Sequence, residues 1–388
     1  MALNHPLENG STYEYFEQQK IVLISDEAHH INADTKKGKT HDDLLENISW
    51  EGSVERIFKA NVNNILLEFT ATMDLSDEGL AAKYKPKIIY DYPLREFRKD
   101  GYSKEVKVLQ SDLPILDRAL QAIILSQYRR KIFEKHGKHV KPVILFKSKT
   151  IAASQEFYLD FQNLIKTLTT NTLTSVKKAS EAMLIKAFDF FEAQNITLEN
   201  LALELKEDFS NEKLISVNSQ AESEAKQIAI NTLEDINNEY RAIFAVDKLN
   251  EGWDVLNLFD IVRLYNTRDG KANVIGKTTM SEAQLIGRGA RYCPFQITDD
   301  QAVHSRKYDA DLDHELRVCE ELYYHSEHNP KYIQELNTAL QAIGLKPKNS
   351  QERHIKVKDN FKSTLLYKGG HIFLNTQEKY LREDIHGL

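Results

Sequence analysis

Short apolar runs alternate with longer helical patterns along the first hundred residues. The runs KIVLIS (20–25), NILLEFT (64–70) and KIIYD (87–91) are apolar on both faces, which is typical of buried strands in a parallel sheet. Enough chain separates each run from the next to form a crossover helix. The pattern predicts an α/β region over residues 1–100.

A second α/β region, predicted over residues 101–300, follows an interruption at 92–103. Pro93 and Gly101 break the periodicity there and indicate a hinge. The predicted elements are a strand near 104–110, a helix over 114–135, and strands at 142–146, 242–247 and 259–266. Residues 150–210 contain no Gly or Pro and predict two or three amphipathic helices inserted into this region.

The pattern becomes mainly helical past residue 300. It predicts helices over 309–325 and 331–343, the second ending before Gly344, and a short strand at 371–375. We therefore expect an α/β protein with two parallel-sheet lobes, a helical insertion in the second lobe, and an α+β appendage over residues 301–388.

The amino-acid composition indicates a globular protein but does not by itself indicate a function. Hydrophobic residues at 41% and charged residues at 28% are typical of a globular chain, and the net charge of −7 offers no global attraction to a polyanion. Nucleic-acid contacts would therefore need local basic clefts. Two isolated cysteines exclude a disulfide framework, and the absence of a leader pattern or an apolar run of about 18 residues predicts a cytoplasmic protein.

The segment LISDEAHH (23–30) ends an apolar strand with adjacent carboxylates. Open α/β sheets bind ligands at the carboxyl edge of their strands. Asp26 is suited to a hydrated Mg²⁺ and Glu27 to orienting a water molecule. The alternative is an acidic pair attracted to the positive end of a helix dipole.

Two further segments place small or acidic residues near strand ends. In FTATMD (69–74), Thr70 and Thr72 favour a helix cap or turn when taken alone. In LNEGWD (249–254), Gly252 allows a backbone turn and Asp254 is placed to pair with an arginine across a cleft. Trp253, between them, is interpreted as a packing residue.

The segment TMSEAQLIGRGARYCPF (279–295) carries the sharpest pattern. Thr279 and Glu282 fit a capping box, which predicts that a helix starts at Thr279. Gln284, Arg288 and Arg291 then fall at i, i+4 and i+7 on one face, a good phosphate clamp. Its glycines, 287 and 289, lower helix stability and would let a ligand or another lobe come close.

These four segments, in this order, resemble motifs II, III, V and VI of superfamily 2 helicases. The longer stretches DEAHHINADTKKGKT, YNTRDGKANVIGKTTMSEAQLIGRGARY and KYDADLDHELRVCEELYYHS resemble the Res subunit of type III restriction endonucleases. The resemblance extends over nearly the whole chain. It is weakest in the first ~20 residues and in the helical insertion.

The resemblance implies two RecA-like lobes, ATP hydrolysis with Mg²⁺ at Asp26 and Glu27, and movement along double-stranded DNA in the restriction of foreign DNA. It implies coupling between nucleotide state and DNA at Thr70 and Thr72, and γ-phosphate sensing by the 284/288/291 clamp. It places Lys147, after the strand PVILF, near the nucleic-acid backbone. The expected partner is a Mod methyltransferase subunit.

The chain departs from the family at two motifs. No GxxxxGK[ST] loop precedes Asp26; the sequences Gly38-Lys39-Thr40 and Gly276-Lys277-Thr278 lack the first glycine at its required position. No Pro-Asp dipeptide of a nuclease occurs either. These departures predict a fragment, with the first lobe truncated at its front. The alternatives are a catalytically silent DNA- or partner-binding remnant, or a superfamily 2 remodeller unrelated to restriction.

Other basic and imidazole-bearing segments are interpreted as solvated surface. The stretch Arg129, Arg130 and Lys131 predicts an exposed helix face, with tracking of DNA phosphates as the alternative. The pairs His136/His139 and His325/His328 have metal-like spacing but lack further ligands, so they too predict solvated helix faces.

Overall fold

The computed structural model divides the chain into two compact units, residues 1–346 and 347–388. The described residues are 13–26, 28, 52–70, 81–82, 84–178, 182–218, 224–246, 253, 255–267, 270, 275–347, 359–362 and 364–369. In the second unit they form two short helices, Asp359–Lys362 and Leu365–Gly369. The strand predicted at 371–375 lies outside the described residues.

A small parallel sheet begins the first unit. Helix α1 (Tyr13–Glu17) leads into β1 (Val22–Ser25), and helix α2 (residues 52–60) leads into β2 (Ile65–Glu68). The two strands pair in parallel with Val22 opposite Ile65 and Ser25 opposite Glu68, which confirms the strands predicted at 20–25 and 64–70. The prediction that β1 is buried on both faces is wrong, because Val22 is 56% and Ile24 70% exposed.

The third strand predicted in this region, at 87–91, is also wrong. Lys85–Lys87 form a 3₁₀ turn with Pro86 in its first positions, and Ile89 is 89% exposed. The Ile88 N–H bonds to the Tyr84 carbonyl at 3.1 Å and closes this turn, and the β propensity of the Ile88–Ile89 pair is effective only where a neighbouring strand can pair with it. The predicted hinge at 92–103 contains a short helix, α3 (Leu94–Lys99), which is followed by Gly101 with φ of +85°.

The main sheet has six strands within the described residues, and every neighbouring pair is parallel. The strands are β3 (Glu105–Ser111), β4 (Val143–Lys147), β5 (Leu214–Val217), β6 (Ala242–Ala245), β7 (Leu258–Arg263) and β8 (Glu321–Glu327), in the order β3-β8-β7-β4-β6-β5. Strands β3, β4, β6 and β7 confirm the sequence predictions. Strand β5 was not predicted.

Apolar layers cover both faces of the main sheet. Phe146, Phe161 and Phe244 lie in one layer and Leu145, Ile243 and Ile261 in the other, all with 0% exposure. Since neighbours on β4 and β6 point to opposite faces, each strand contributes to both layers. The prediction of an α/β protein built on parallel sheets is confirmed.

The helices that flank this sheet begin with α4 (Ile115–Lys135), which confirms the helix predicted over 114–135. The described residues of the insertion form four helices where two or three were predicted: α5 (Ile151–Thr167), α6 (Thr170–Lys178), α7 (Ala182–Ala193) and α8 (Leu198–Asp208). The hydroxyls of Thr150 and Thr197 cap α5 and α8 by accepting backbone N–H bonds. Helix α9 (Glu224–Asn231) follows β5.

The helix predicted over 309–325 is wrong. Glu315–Glu320 form a 3₁₀ segment, and β8 follows as a buried strand between β3 and β7. The helical periodicity of this segment is overridden because its tyrosines pack into the centre of a sheet. The main sheet therefore continues past residue 300, where the appendage was predicted to start; the three domain boundaries stay predictions.

Two further helices of the first unit follow strands of the main sheet. Helix α10 (Lys277–Gly289) follows β7, and α11 (Pro330–Ala342) follows β8. Helix α11 confirms the helix predicted over 331–343. It ends before Gly344, whose φ of +90° closes the turn through a bond from Leu345 N–H to the Leu340 carbonyl.

Candidate functional site

Two predicted site residues lie at the carboxyl edge of the small sheet, one after each strand. The Ser25 carbonyl accepts the N–H of Phe69 at 2.8 Å, and the Phe69 carbonyl accepts the N–H of Ala28 at 2.9 Å. Asp26 and Thr70 directly follow Ser25 and Phe69, so both leave the sheet at one edge. Glu27 and Thr72 lie outside the described residues, as do Gly252 and Asp254.

The predicted phosphate clamp is only partly helical. Gln284 is exposed and Arg288 is half-buried on α10. The helix ends at Gly289, and Arg291 forms an isolated antiparallel bridge with Ser103. The prediction that all three residues share one helix face is therefore wrong for Arg291, because the chain turns into a strand-like segment before it.

The capping box predicted at Thr279 is also wrong. Helix α10 starts two residues earlier, after Gly276, and Thr279 is buried within its first turn. Glu282 does not fold back toward the helix start; it pairs with Arg263 at 2.8 Å, and each side chain is 2% exposed. A buried ion pair at this position outweighs a local cap because breaking it would leave an uncompensated charge in the core.

Three tyrosines surround this ion pair, through their hydroxyl groups or through the faces of their rings. Tyr265 and Tyr332 donate to the Glu282 carboxylate at 2.5 and 2.7 Å. The Arg263 guanidinium lies over the rings of both tyrosines, 4.2 and 4.0 Å from their centroids. Tyr324 and Tyr332 share a further hydroxyl bond of 2.7 Å. This network joins α10 to β7, β8 and α11.

The end of α10 is held by a buried lysine that the sequence analysis missed. Lys104, with 0% exposure, donates from Nζ to the carbonyls of Leu256, Gly289 and Arg291 at 2.7, 2.9 and 2.6 Å. All three ammonium protons thus have acceptors, and two of these carbonyls flank the helix end, where a cation is stabilised by the helix dipole. Lys104 fixes the backbone on which Arg288 and Arg291 are carried.

The glycines of the clamp have different roles from those predicted. A Cβ on Gly289 would lie 2.8 Å from Leu258 Cδ2, so the missing side chain allows α10 to pack closely on β7. The prediction that this glycine lets a ligand or another lobe come close is therefore wrong for Gly289. At Gly287 a Cβ would meet its neighbours at 3.6 Å or more, an ordinary contact.

The sequence Gly276-Lys277-Thr278 does start a helix, but the amide at its start is already bound. Gly276 donates its N–H to Glu335 Oε1 of α11 at 2.8 Å. A carboxylate therefore occupies the position where a phosphate would be attracted to the helix start. This supports the interpretation of the segment as something other than a phosphate loop. The similar sequence at 38–40 lies outside the described residues.

Lys147 and Trp253 lie in the main sheet and its flanking layer. Lys147 ends β4 and is 5% exposed, and its carbonyl accepts the N–H of Leu264 at 2.9 Å. Trp253 is 3% exposed and donates from Nε1 to the Ile230 carbonyl at 2.9 Å. The interpretation of Trp253 as a packing residue is confirmed; a nucleic-acid role for Lys147 stays a prediction.

The prediction of an exposed basic face at residues 129–131 is wrong. Arg129 has 0% exposure, lies between the rings of Phe259 and Tyr323, and pairs with Asp260 at 2.6 Å. Burial lowers the pKa of Arg129, but the Asp260 carboxylate more than offsets this and the net shift is upward. The other basic residues of the stretch are paired with carboxylates of α4 and α8: Arg130 with Glu134 and Asp208, Lys131 with Glu134 and Glu204.

The prediction that the four histidines lie on solvated helix faces is wrong for His325. His325 is 3% exposed on β8, and its Nε2 lies 2.9 Å from Asp260 Oδ1, so it belongs to the same buried network as Arg129. His136 lies 2.8 Å from Glu315 at the end of α4. Within the described ranges, no group of three or more His, Cys, Asp or Glu side chains is placed to hold a metal. Among these residues no helix is long and apolar enough to cross a membrane.

Comparison with known proteins identifies the relatives of the chain. A family model described as "Type III restriction enzyme, res subunit" matches residues 2–75, and a second model, described as an N-terminal region, matches residues 278–349. The probable type III restriction-modification enzyme HindVIP Res subunit of Haemophilus influenzae is 36% identical over 303 residues, covering 68% of this chain. The chain is similar to type III Res subunits. The predicted resemblance is confirmed.

The match to this Res subunit is partial on both sides. The chain spans 58% of the length of the HindVIP Res subunit. An uncharacterized protein of the same organism is 41% identical over 99 residues, which cover 23% of this chain and 21% of that protein. Residues 2–75 include the DEAH and TAT segments, and residues 278–349 include the clamp residues.

Solved structures give weaker likenesses. Yeast Dbp5 bound to RNA and ADP BeF3 has a TM-score of 0.40 at 11% identity, covering 84% of this chain and 58% of Dbp5. The ATP-dependent Type ISP restriction-modification enzyme LlaBIII bound to DNA has a TM-score of 0.36 at 12% identity, covering 88% of this chain and 25% of LlaBIII. TM-scores this low carry no argument about function.

Proposed function

We propose that the chain is the motor portion of a type III Res subunit, which uses ATP to move along double-stranded DNA in the restriction of foreign DNA. The support is its similarity to the HindVIP Res subunit together with the order of four motif segments along the chain. The two matched family ranges contain the segments on which nucleotide chemistry would depend. In this proposal the two parallel sheets are RecA-like lobes.

The small sheet supplies the groups for the metal and the attacking water. The observation that best supports this is the shared carboxyl edge of β1 and β2, where Asp26 and Thr70 leave the sheet together. Carboxylate oxygen suits Mg²⁺, which is commonly held through one or two carboxylates and water, so Asp26 fits the ion. Glu27 would orient the water. When bound, Mg²⁺ neutralises charge on the phosphates of ATP. Thr70 and Thr72 would couple this edge to DNA.

The main sheet supplies the groups that sense the γ-phosphate. Arg288 and Arg291 lie on the last turn of α10 and just beyond it, where the Lys104 ammonium holds the backbone. Guanidinium groups match phosphate oxygens, and an arginine in this role stabilises charge on the transferred group. Gln284 would complete the clamp. Gly252 and Asp254 would line the same cleft, and Lys147 would contact the DNA backbone.

The remaining partner in this proposal is a Mod methyltransferase subunit, which would recognise the DNA sequence. The chain carries a net charge of −7, and the proposal assigns to it no element that reads the bases in a DNA groove. We therefore expect DNA binding by the chain itself to be weak, nonspecific and steeply dependent on salt, because phosphate contacts supply the attraction. Sequence preference would come from Mod.

Nucleotide binding tests the clamp directly. Equilibrium titration of the purified chain with MgATP should give weak binding that Arg288→Ala and Arg291→Ala each weaken by about tenfold or more, as expected for a lost charge-assisted bond. Lys166→Ala, on the exposed side of α5, is the matched loss of one positive charge and should change nothing. Equal binding by all four proteins would contradict the proposed clamp and favour a catalytically silent remnant.

DNA binding tests the other half of the proposal. Affinity for several unrelated duplexes should be the same and should fall with salt in parallel for each. Strong preference for one duplex without Mod would contradict the division of roles. If the chain bound DNA and MgATP but did not associate with a Mod subunit, the superfamily 2 remodeller unrelated to restriction would become the better interpretation.

A further inference from the structure

A row of four aromatic rings runs along the segment that joins β2 to β3. Tyr90 and Tyr92 stack with ring centroids 5.9 Å apart and planes 28° apart. Phe97 continues the row at 6.2 Å from Tyr92, and Tyr102 follows at 5.6 Å from Phe97. We name these four residues the aromatic row. In this segment the sequence pattern predicts a strand over 87–91 and a hinge over 92–103.

The aromatic row faces solvent. Tyr90 is 78% exposed, Tyr102 40% and Tyr92 37%, and the adjacent Ile89 is 89% exposed. Clustered aromatic surface of this kind on a folded protein marks an interaction site more often than it marks chance exposure. The main sheet, by contrast, buries its tyrosines, with Tyr323 at 0% and Tyr324 at 2% exposure.

The row is anchored at two points. The Tyr92 hydroxyl donates to Asp100 Oδ2 at 2.7 Å, and this bond is the main reason that the pKa of Tyr92 is raised to about 12. The hydroxyl therefore stays protonated and keeps donating throughout the neutral range. At the other end, the Tyr102 carbonyl accepts the N–H of Tyr292 at 3.1 Å, next to the bridge between Ser103 and Arg291. The row thus adjoins the segment that carries the clamp.

The segment that carries the row is basic although the chain as a whole is acidic. Residues 84–102 contain five Lys and Arg against three Asp and Glu, whereas the full chain has a net charge of −7. Arg95 and Lys99 are 71% and 74% exposed, and both lie near Glu96, at 3.0 and 3.6 Å. Exposed pairs of this kind contribute little stability, so either cation can exchange its carboxylate for a phosphate.

We propose that the aromatic row binds single-stranded DNA by stacking bases on its exposed rings while the neighbouring basic side chains contact the phosphates. Aromatic platforms flanked by cations bind unpaired strands without sequence preference, because every base has a π face. Bases in a duplex are stacked on one another and cannot offer that face. The proposal goes beyond movement along duplex DNA and does not require ATP hydrolysis.

Tyr90 is the position that distinguishes stacking from other contacts. With a fluorescently labelled oligo-dT and the full chain, fluorescence anisotropy should show binding that Tyr90→Leu weakens about fivefold or more, the effect of losing one base–aromatic stack. Tyr90→Phe keeps the ring and should bind within twofold of the wild type. Tyr15→Leu, at another exposed tyrosine (53%), is the matched control and should leave binding unchanged.

Salt dependence tests the basic flank. Arg95→Ala and Lys99→Ala should each reduce the slope of log affinity against log salt by about 0.7, the value for one phosphate contact to a single strand. Circular dichroism of each variant checks that the fold is retained.

Three outcomes would overturn the proposal. Wild-type chain that fails to bind oligo-dT at low salt would exclude the site. Equal affinity of Tyr90→Leu and Tyr90→Phe would mean that the ring is not stacked on a base and would favour an apolar surface for a protein partner. Equal competition by a duplex, with no response to either Tyr90 variant, would reduce the contact to nonspecific charge. None of these results depends on whether the chain binds ATP.

Discussion

The two parallel sheets are built from similar apolar strands but differ completely in burial. Ile24 of β1 is 70% exposed, whereas Ile261 of β7 is fully buried. Strand β7 has a neighbour on each side and an apolar layer on each face; β1, within the described residues, has one neighbouring strand. An apolar run therefore predicts that a strand forms, while the apolar layers packed on the faces of the sheet decide whether its side chains are buried.

The proposed site divides between these two regions. Asp26 and Thr70 follow strands of the small sheet, and the clamp arginines follow the main sheet through α10. The clamp backbone is held by buried polar contacts from Lys104, Glu282 and Glu335. If both halves are needed for phosphoryl transfer, the contribution of each can be separated by experiment.

The largest expected effect concerns ATP turnover. The proposed site would bind the metal, orient the water and contact the γ-phosphate, but the 388 residues contain no GxxxxGK[ST] sequence to fix the β- and γ-phosphates. Since misplacement by ~1 Å can cost ~100-fold, we expect no useful steady-state turnover by this polypeptide with Mg²⁺ and duplex DNA. Turnover near ~1 s⁻¹ that Glu27→Gln abolishes would show that the site is complete without that loop.

The second effect compares ion pairs in the two regions. Arg129→Met removes the guanidinium from the fully buried Asp260, to which the structure then gives only the His325 contact among the described residues, and should lower the free energy of unfolding by ~3–5 kcal/mol. In α2, Lys59 pairs with Glu55, and these side chains are 69% and 59% exposed. Lys59→Met should therefore change the free energy by less than ~0.5 kcal/mol. Urea denaturation measures both, and the double variant Arg129→Met/Asp260→Leu should recover part of the loss. Equal costs for the two single variants would remove the contrast between the regions.

The third effect uses one glycine from each region. Gly289→Ala places a Cβ 2.8 Å from Leu258 Cδ2 in a packed layer and should destabilise the protein by ~1–3 kcal/mol. At Gly52 in α2 a Cβ would meet nothing within 4 Å, so Gly52→Ala should stabilise by ~0.5 kcal/mol. Thermal unfolding of the two variants should therefore shift in opposite directions. A stabilised Gly289→Ala variant would mean that α10 packs on β7 less closely than the distance indicates.

The smallest effect is a change in pH dependence. Burial raises the pKa of Asp208, but Arg241 and Arg130 outweigh it and hold the pKa below its usual value. A carboxyl with a depressed pKa contributes stability above its unfolded pKa, and this contribution is lost as the pH falls through the folded value. Asp208→Asn should therefore flatten the acid limb of a stability–pH profile. Asp313→Asn, at a side chain that is 99% exposed, is the control and should leave the limb unchanged.

Local sequence was sufficient to predict those helices and strands for which the hydrophobic pattern and the tertiary surroundings favour the same structure. Helix α4 and strand β4 were predicted because a long apolar periodicity and a short continuous apolar run each favour one structure. Strand β5 was missed because its four residues lie between helical patterns. The segment of β8 was predicted as a helix because its charged residues recur at helical spacing, although its tyrosines pack between two strands.

In the candidate site, too, some features follow from the sequence and others depend on contacts between distant residues. The order of the DEAH, TAT, EGWD and QLIGRGAR segments, and the residue types within them, are properties of the sequence and indicate the family by themselves. Lys104 gave no such signal, since it is a single lysine 185 residues from the helix end that it holds. Glu282 gave a misleading one, because a glutamate three residues after a threonine fits a local cap as well as a distant ion pair.

The sequence by itself determined the α/β class, the motif residues and the resemblance to Res subunits, because these depend on periodicity and on residue types at short spacing. The tertiary structure decided which charges are buried, where α10 begins and ends, and why Gly289 is a glycine. Those features depend on partners distant in sequence: Arg263 for Glu282, Asp260 for Arg129, and Leu258 for Gly289. Burial makes each contact costly to leave unsatisfied, so it overrides local preferences that are worth only a fraction as much.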